Sequence, residues 1–421
     1  MRRPVLVSGL TSRRLPLLGV LAALAACRAA KPPVPTLDVR PGDDVQALFD
    51  TLSGPARVSF APGDYRLEPV AFEDPSCGNC TDPAERVPAT RGLLVSGTGI
   101  ELLGASARSV ALHTDSGYGV LFDGCAGCRL SGITVADGAR DPDGRATDAG
   151  VVIRNGAVTL EDCVVRDNLG DSAVVHTVVV GIAGIAVREG GVATVRRCLI
   201  ERNSWDGIAA YRGAELIAQD NVVDGVDRAR GARMGGGRGT GIGVTGNARA
   251  TLRGNLVTRY WKGIGVFADA RADVEHNVVE DLLAWGIAYW GADEGRPFAR
   301  IRGNVVFDTG ACGVIVERRD ADAAEPGELV GNVLVRTGQD ERYDEGDPYC
   351  AQRPIARHAV PAAFRIEGNV IHDVRQPGSL PLDATVDRAG LRREAGALLD
   401  SLAALPHMAA SRALGAYAEA R

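Results

Sequence analysis

The stretch from Gly184 to Val316 limits what this 421-residue chain can fold into more than any other. Six segments in it open with a glycine and an aliphatic residue: Gly184-Ile185, Gly207-Ile208, Gly241-Ile242, Gly263-Ile264, Gly286-Ile287 and Gly313-Val314. Successive starts lie 23, 34, 22, 23 and 27 residues apart, so the unit is 22 or 23 residues long with insertions. A fixed period of that size signals stacked supersecondary units, each burying its apolar side against the next. The 53 glycines and 5% aromatic content agree with many tight turns.

Within a unit a short strand, a turn, a second strand ending before Asn or Cys and a third strand follow one another, as in Ala250 to Val257 and Ala272 to Val279. Period-two alternation sends alternate aliphatics inward, predicting three parallel sheets around a dry core. Cys163, Cys198, Asn221, Asn255, Asn277, Asn304, Asn332 and Asn369 share one turn position and take six of the eleven asparagines. Asparagine suits a left-handed turn residue, and its amide is able to bond to the asparagine one coil away. Cys163 and Cys198 are expected to touch.

This column resembles the asparagine ladder of right-handed parallel β-helices. The start of the chain is similar to those of the pectate-lyase-like superfamily: an amphipathic segment, Gly42 to Leu52, precedes a strand, a Pro62-Gly63 turn and Tyr65. The resemblance covers about residues 42 to 375 and implies an all-β solenoid with an N-terminal helical cap. The fold expected is a single right-handed parallel β-helix over 42–380, followed by a C-terminal helical tail over 381–421. In that tail Leu391, Ala395, Leu398, Leu399 and Leu402 share a helical face.

The N-terminus reads as an export signal. Arg2, Arg3, Arg13 and Arg14 precede an apolar run from Leu15 to Ala26, too short for a permanent membrane span. Leu24-Ala25-Ala26-Cys27 resembles a lipoprotein lipobox, which implies cleavage after residue 26, acylation of Cys27 and a tether over 27–41. An exported, lipid-anchored monomer facing the periplasm or cell surface is expected. A net charge of −6 gives no footprint for nucleic acid. Export favours disulfides for the remaining cysteines, with a zinc site from Cys77, Cys80, Cys125 and Cys128 as the alternative.

Insertions at 137 to 149, 167 to 183 and 224 to 240 all precede the glycine-led strand and mark its outer face as the place for chemistry. Alternation puts Ala186, Ala209, Gly243, Gly265 and Ala288 outward as a floor of small residues, flanked by Arg188, Tyr211, Thr245, Phe267 and Trp290. Trp205, Trp261 and Trp285 stand just before the strands. Rings beside a flat floor suit stacking against sugar faces. The 47 basic residues include two lysines, Lys31 and Lys262, and Lys262 lies on this edge beside Asp206 in register.

Two functions follow as expectations. In the first, an acidic polysaccharide binds along this groove and is cleaved by β-elimination, with Lys262 as the base, Asp206 orienting it, and Arg212, Arg233 or Arg238 neutralising the uronate. A two-carboxylate glycosidase fits less well, because Glu317 is four coils from Asp206. In the second, the solenoid is a non-catalytic envelope scaffold or adhesion lipoprotein. Asp141, Asp143 and Asp148 form a candidate Ca2+ site, with a solvated turn as the alternative.

Overall fold

Alternating aliphatics place the core. Ile185, Ile208, Ile242, Ile264, Ile287 and Val314 are direct cross-strand partners in successive coils, and each is fully buried. Each such side chain contributes roughly 1.5–3 kcal/mol of burial. The structure is a computed structural model that describes residues 33–77, 82–141, 147–170, 181–225, 239–292, 294–343, 352–373 and 388–418. Three sheets of 12, 11 and 11 strands run the length of the stack, and all but one of the pairings are parallel. The chain from Pro35 onward, one compact unit, is a right-handed parallel β-helix. One coil shows the order: Lys262–Phe267 in the glycine-led sheet, Arg271–Glu275 in the 12-stranded sheet, Val278–Leu282 in the third, then Trp285–Trp290 back in the first.

The asparagine ladder is continuous. Nδ2 of Asn221, Asn255, Asn277, Asn304 and Asn332 each donates to Oδ1 of the asparagine one coil on, at 2.9–3.0 Å. The left-handed residue of the turn is the one before the asparagine: Asp220, Gly254, His276, Gly303, Gly331 and Gly368 have φ of 56–65°. The asparagines are therefore selected for amide bonding and not for backbone conformation. A second short ladder, Asn168 to Asn203 at 2.7 Å, occupies the next turn. Cys163 and Cys198, both buried free thiols, continue the first column, where the Cys198 N–H donates to Asn221 Oδ1 at 2.9 Å, and they lie near enough to shift each other's titration.

Both ends differ in detail from expectation. The cap helix is a five-residue turn, Val45–Phe49, N-capped by Asp44, with Val45 and Phe49 in the core. A strand at Thr36–Val39, inside the expected tether, pairs with Ala56–Phe60 and starts the stack. In the tail, helices Arg388–Ala403 and Arg412–Ala418 lay Leu391, Leu399 and Leu402 on Leu256, Val278, Val305 and Val333 of the third sheet. Glu280 receives the second helix: its carboxylate accepts from the Arg412 and Ala413 N–H groups, both at 2.8 Å. Such a contact satisfies backbone donors that have no helical partner. Among the described residues no helix is long and apolar enough to cross a membrane.

Candidate functional site

The outer face of the glycine-led sheet has two unlike halves. In the earlier coils a hairpin, Val70–Asp74 against the start of Val87–Val95, extends from the sheet edge and turns over the face. Phe72 and Ala89 pack against Tyr118, Leu121, Val152 and Ala186. Asp74, fully buried, accepts from Arg154 Nη1 at 2.5 Å, Arg188 Nη2 at 2.6 Å and the Tyr118 hydroxyl at 2.6 Å. Burial alone would raise its pKa, yet Arg188, Tyr118 and Arg154 outweigh that and hold it at about 2.

This clasp corrects several expectations. Arg188 points outward from its strand as alternation requires, but the hairpin covers it completely and its guanidinium is bound to Asp74. It is structural. Arg212 donates to the Cys77 carbonyl and contacts Glu189 at 3.4 Å, so it is not directed at a ligand. Tyr211 is half-buried against the same cluster, and burial, partly offset by Arg188, pushes its hydroxyl up to about 12. Asp141 and Asp148 belong to the clasp too: Asp141 accepts from the Thr90 N–H at 2.9 Å and hydroxyl at 2.5 Å, and Asp148 pairs with Arg140. Both carboxylates are buried in these contacts, and among the described residues no cluster of His, Cys, Asp or Glu is arranged to hold a metal ion. Cys125 and Cys128 are free buried thiols, whereas Cys77 and Cys312 are each disulfide-bonded. Asp143, Arg233, Arg238, Cys80 and Cys27 lie outside the described residues.

The later coils are different. Register aligns Asp206 with Thr240, then Lys262, then Trp285 across successive strands. Asp206 Oδ1 accepts from the Thr240 N–H at 2.6 Å. Any Cβ at Gly239 would collide with that oxygen, so glycine there permits the bond. Oδ2 overlooks the small-residue floor, 4.0 Å from where a Cβ on Gly243 would sit. Burial raises the Asp206 carboxyl to about 6, against the lowering effects of the Thr240 N–H and the Lys262 charge.

Lys262 Nζ stands among four rings, 4.4 Å from the centroid of Trp285, 4.5 Å from Trp261, 5.2 Å from Phe267 and 5.8 Å from Trp290. The attraction acts on the ammonium and not on a neutral amine. This setting argues against Lys262 as the proton-abstracting base and for a fixed cation. The rings depart from an open stacking platform: Trp285 is 3% exposed, and the Phe267 ring lies directly over Gly265. Trp205, Trp261, Phe267 and Trp290 are half-buried, and the floor residues Gly243, Gly265 and Ala288 are themselves buried. Glu317 is held by the Gly291 N–H at 3.0 Å and by Arg319 at 3.0 Å.

Residues 93–237 match the family model of the right-handed β-helix region. Among solved structures, the chain is similar to a tailspike protein of an E. coli bacteriophage in complex with a pentasaccharide, at 11% identity and a TM-score of 0.50, covering 81% of this chain and 61% of that one. An alginate lyase from Paenibacillus shares 10% identity over 80% of this chain and 99% of its own, with a TM-score of 0.44. An α-1,3-glucanase catalytic unit from Streptomyces thermodiastaticus shares 14% identity over 84% and 72%, with a TM-score of 0.41. No curated protein matches the sequence. The likeness is one of fold: a right-handed parallel β-helix.

Proposed function

We propose that the chain binds an acidic saccharide over the Gly243 floor and cleaves it by β-elimination. The observation that carries this reading is the placement of a carboxyl group raised to about 6 near a ring-held ammonium on the later coils of the face. Lys262 supplies the positive charge that meets the uronate carboxylate, a role the sequence pattern assigns to Arg212, Arg233 or Arg238. Asp206 is the base, since a carboxylate with a raised pKa accepts a proton near neutral pH better than an ordinary one. It takes the proton α to the carboxyl group, the bond to the glycosidic oxygen breaks, a carbon–carbon double bond forms, and solvent protonates the departing oxygen. Trp261 and Trp290 border the ligand. The protein acts after export, anchored through Cys27 as a monomer, a placement supported by the signal-like N-terminus.

Incubation with polyuronides, followed by the ultraviolet absorbance of an unsaturated product, tests the reading. Asp206→Asn is expected to lower the rate by about 10²–10⁴-fold with binding retained. Binding with no product would favour the second reading, a non-catalytic surface adhesin or scaffold. The engagement of Arg188 and Arg212 by the hairpin speaks for that alternative.

A further inference from the structure

Two adjacent rungs of the asparagine column carry free thiols in place of amides. Glu161 and Val164 of one coil are partners of Arg196 and Leu199 in the next, and the same offset sets Cys163 opposite Cys198. The backbone there is stacked as it is in the ladder: the Leu199 N–H donates to the Cys163 carbonyl at 2.9 Å, as the Val278 N–H does to the Asn255 carbonyl. The side chains follow the ladder as well. Cys163 Sγ donates to the Leu130 carbonyl of the preceding coil at 3.3 Å, the place taken at Asn277 by its Nδ2 on the Leu252 carbonyl at 2.9 Å. In that arrangement the amides of Asn255 and Asn277 meet across one coil at 2.9 Å. One coil before Cys163 the column holds Ile133, whose carbonyl accepts from the Val164 N–H at 3.1 Å, so the cysteine that the column sets beside Cys163 is Cys198.

We propose that Cys163 and Cys198 form a disulfide, a covalent rung at the point where the amide ladder ends. Adjacent strands lie ~4.8 Å apart, inside the Cα separation of about 4.4–6.8 Å that a disulfide accepts. Thiols are weak hydrogen-bond donors, so two of them stacked in place of two amides hold the coils poorly unless they are joined. The chain carries such bonds elsewhere, at Cys77 and Cys312. The connection from Cys163 to Cys198 encloses the insertion at 167 to 183, and closing a longer loop removes more freedom from the unfolded chain. The bond forms by thiol–disulfide exchange. One cysteine thiolate attacks a sulfur of a small-molecule or protein disulfide and releases a thiol, and the other cysteine then attacks the mixed disulfide and releases the second thiol. The cysteine pair loses two electrons and two protons, which reduce the incoming disulfide to its two thiols. Cys163 and Cys198 are 1% and 3% exposed, so exchange takes place before the two coils close on each other, and the finished bond is shielded from reductant. This site is independent of the carbohydrate reading.

The test is a peptide map of the full chain, refolded in a glutathione redox buffer in which Cys77 and Cys312 are bonded. Free thiols are alkylated after unfolding without reductant, and the digest is read by mass spectrometry. The peptides of Cys163 and Cys198 should appear as one linked species, two hydrogens lighter than the separate peptides and free of alkylation. Alkylation of both cysteines in protein whose Cys77 and Cys312 are bonded overturns the proposal, as does a link from either to Cys125 or Cys128. A second measurement uses the double variant Cys163→Asn, Cys198→Asn, which extends the amide ladder through both coils and removes the bond. Reductant present during unfolding should lower the denaturant midpoint of the unaltered protein further than that of the variant. Equal shifts contradict a covalent rung.

Discussion

The two halves of the outer face are built on the same register, yet they treat polar side chains in opposite ways. In the covered half Asp74, Arg154 and Arg188 are joined in buried ion pairs. In the later half Asp206 accepts from the Thr240 N–H, and Lys262 stands among four rings. Position in a column therefore does not assign a role. Arg188 and Phe267 stand in the same outward column, and one is a structural clasp while the other closes over the floor of the site.

Variants in the covered half should be the costly ones. Asp74→Ala removes the carboxylate that two buried guanidinium groups share, leaving Arg154 with Asp123 and Arg188 with Glu189, and should destabilise the fold by about 3–5 kcal/mol, read from the denaturant midpoint. A loss below about 1 kcal/mol would remove the contrast between the halves. Asn277→Ala, in the ladder of the later coils, strands the Asn255 N–H and the Leu252 carbonyl, now bonded at 2.9 Å each. It should cost at least about 2 kcal/mol. Lys262→Met removes only a partly exposed cation from its rings, so about 1 kcal/mol or less of stability is expected, together with loss of uronate affinity.

Acidity separates the halves by sign. Asp74, depressed to about 2 from an ordinary 3.8, contributes stability that is present above pH 4 and lost as pH falls toward 2. Asp206, raised from 3.8 to about 6, contributes stability that is present below pH 4 and lost as pH rises through 6. Asp206→Asn should flatten the second trend and leave the first. A pH–stability curve unchanged by that substitution would show that Asp206 is not desolvated.

Much of this was legible in sequence because a solenoid repeats its signal. Alternation alone placed Ile185 to Ile287 inward and the small column outward, and the spacing of Asn221 to Asn369 foretold the ladder. The second ladder was readable too: Asn168 and Asn203 each lie five residues after the column cysteine of their coil. The clasp was not readable. Asp74 and Arg188 are 114 residues apart, and their pairing depends on a hairpin that leaves the sheet edge and folds back across three coils. No local pattern encodes that return. The rings around Lys262 lie between these cases, since their positions followed from register but their convergence on one ammonium depended on side-chain rotation.

All four tryptophans of the chain, Trp205, Trp261, Trp285 and Trp290, border the later half, so intrinsic tryptophan fluorescence reports on that region and on no other. Titration with a uronate oligosaccharide is the most direct test of the account. A saturable change in emission is predicted, reduced in Lys262→Ala and absent with the matching neutral sugar. Saturable uronate binding seen by calorimetry with no change in tryptophan emission would place the ligand elsewhere and contradict the account.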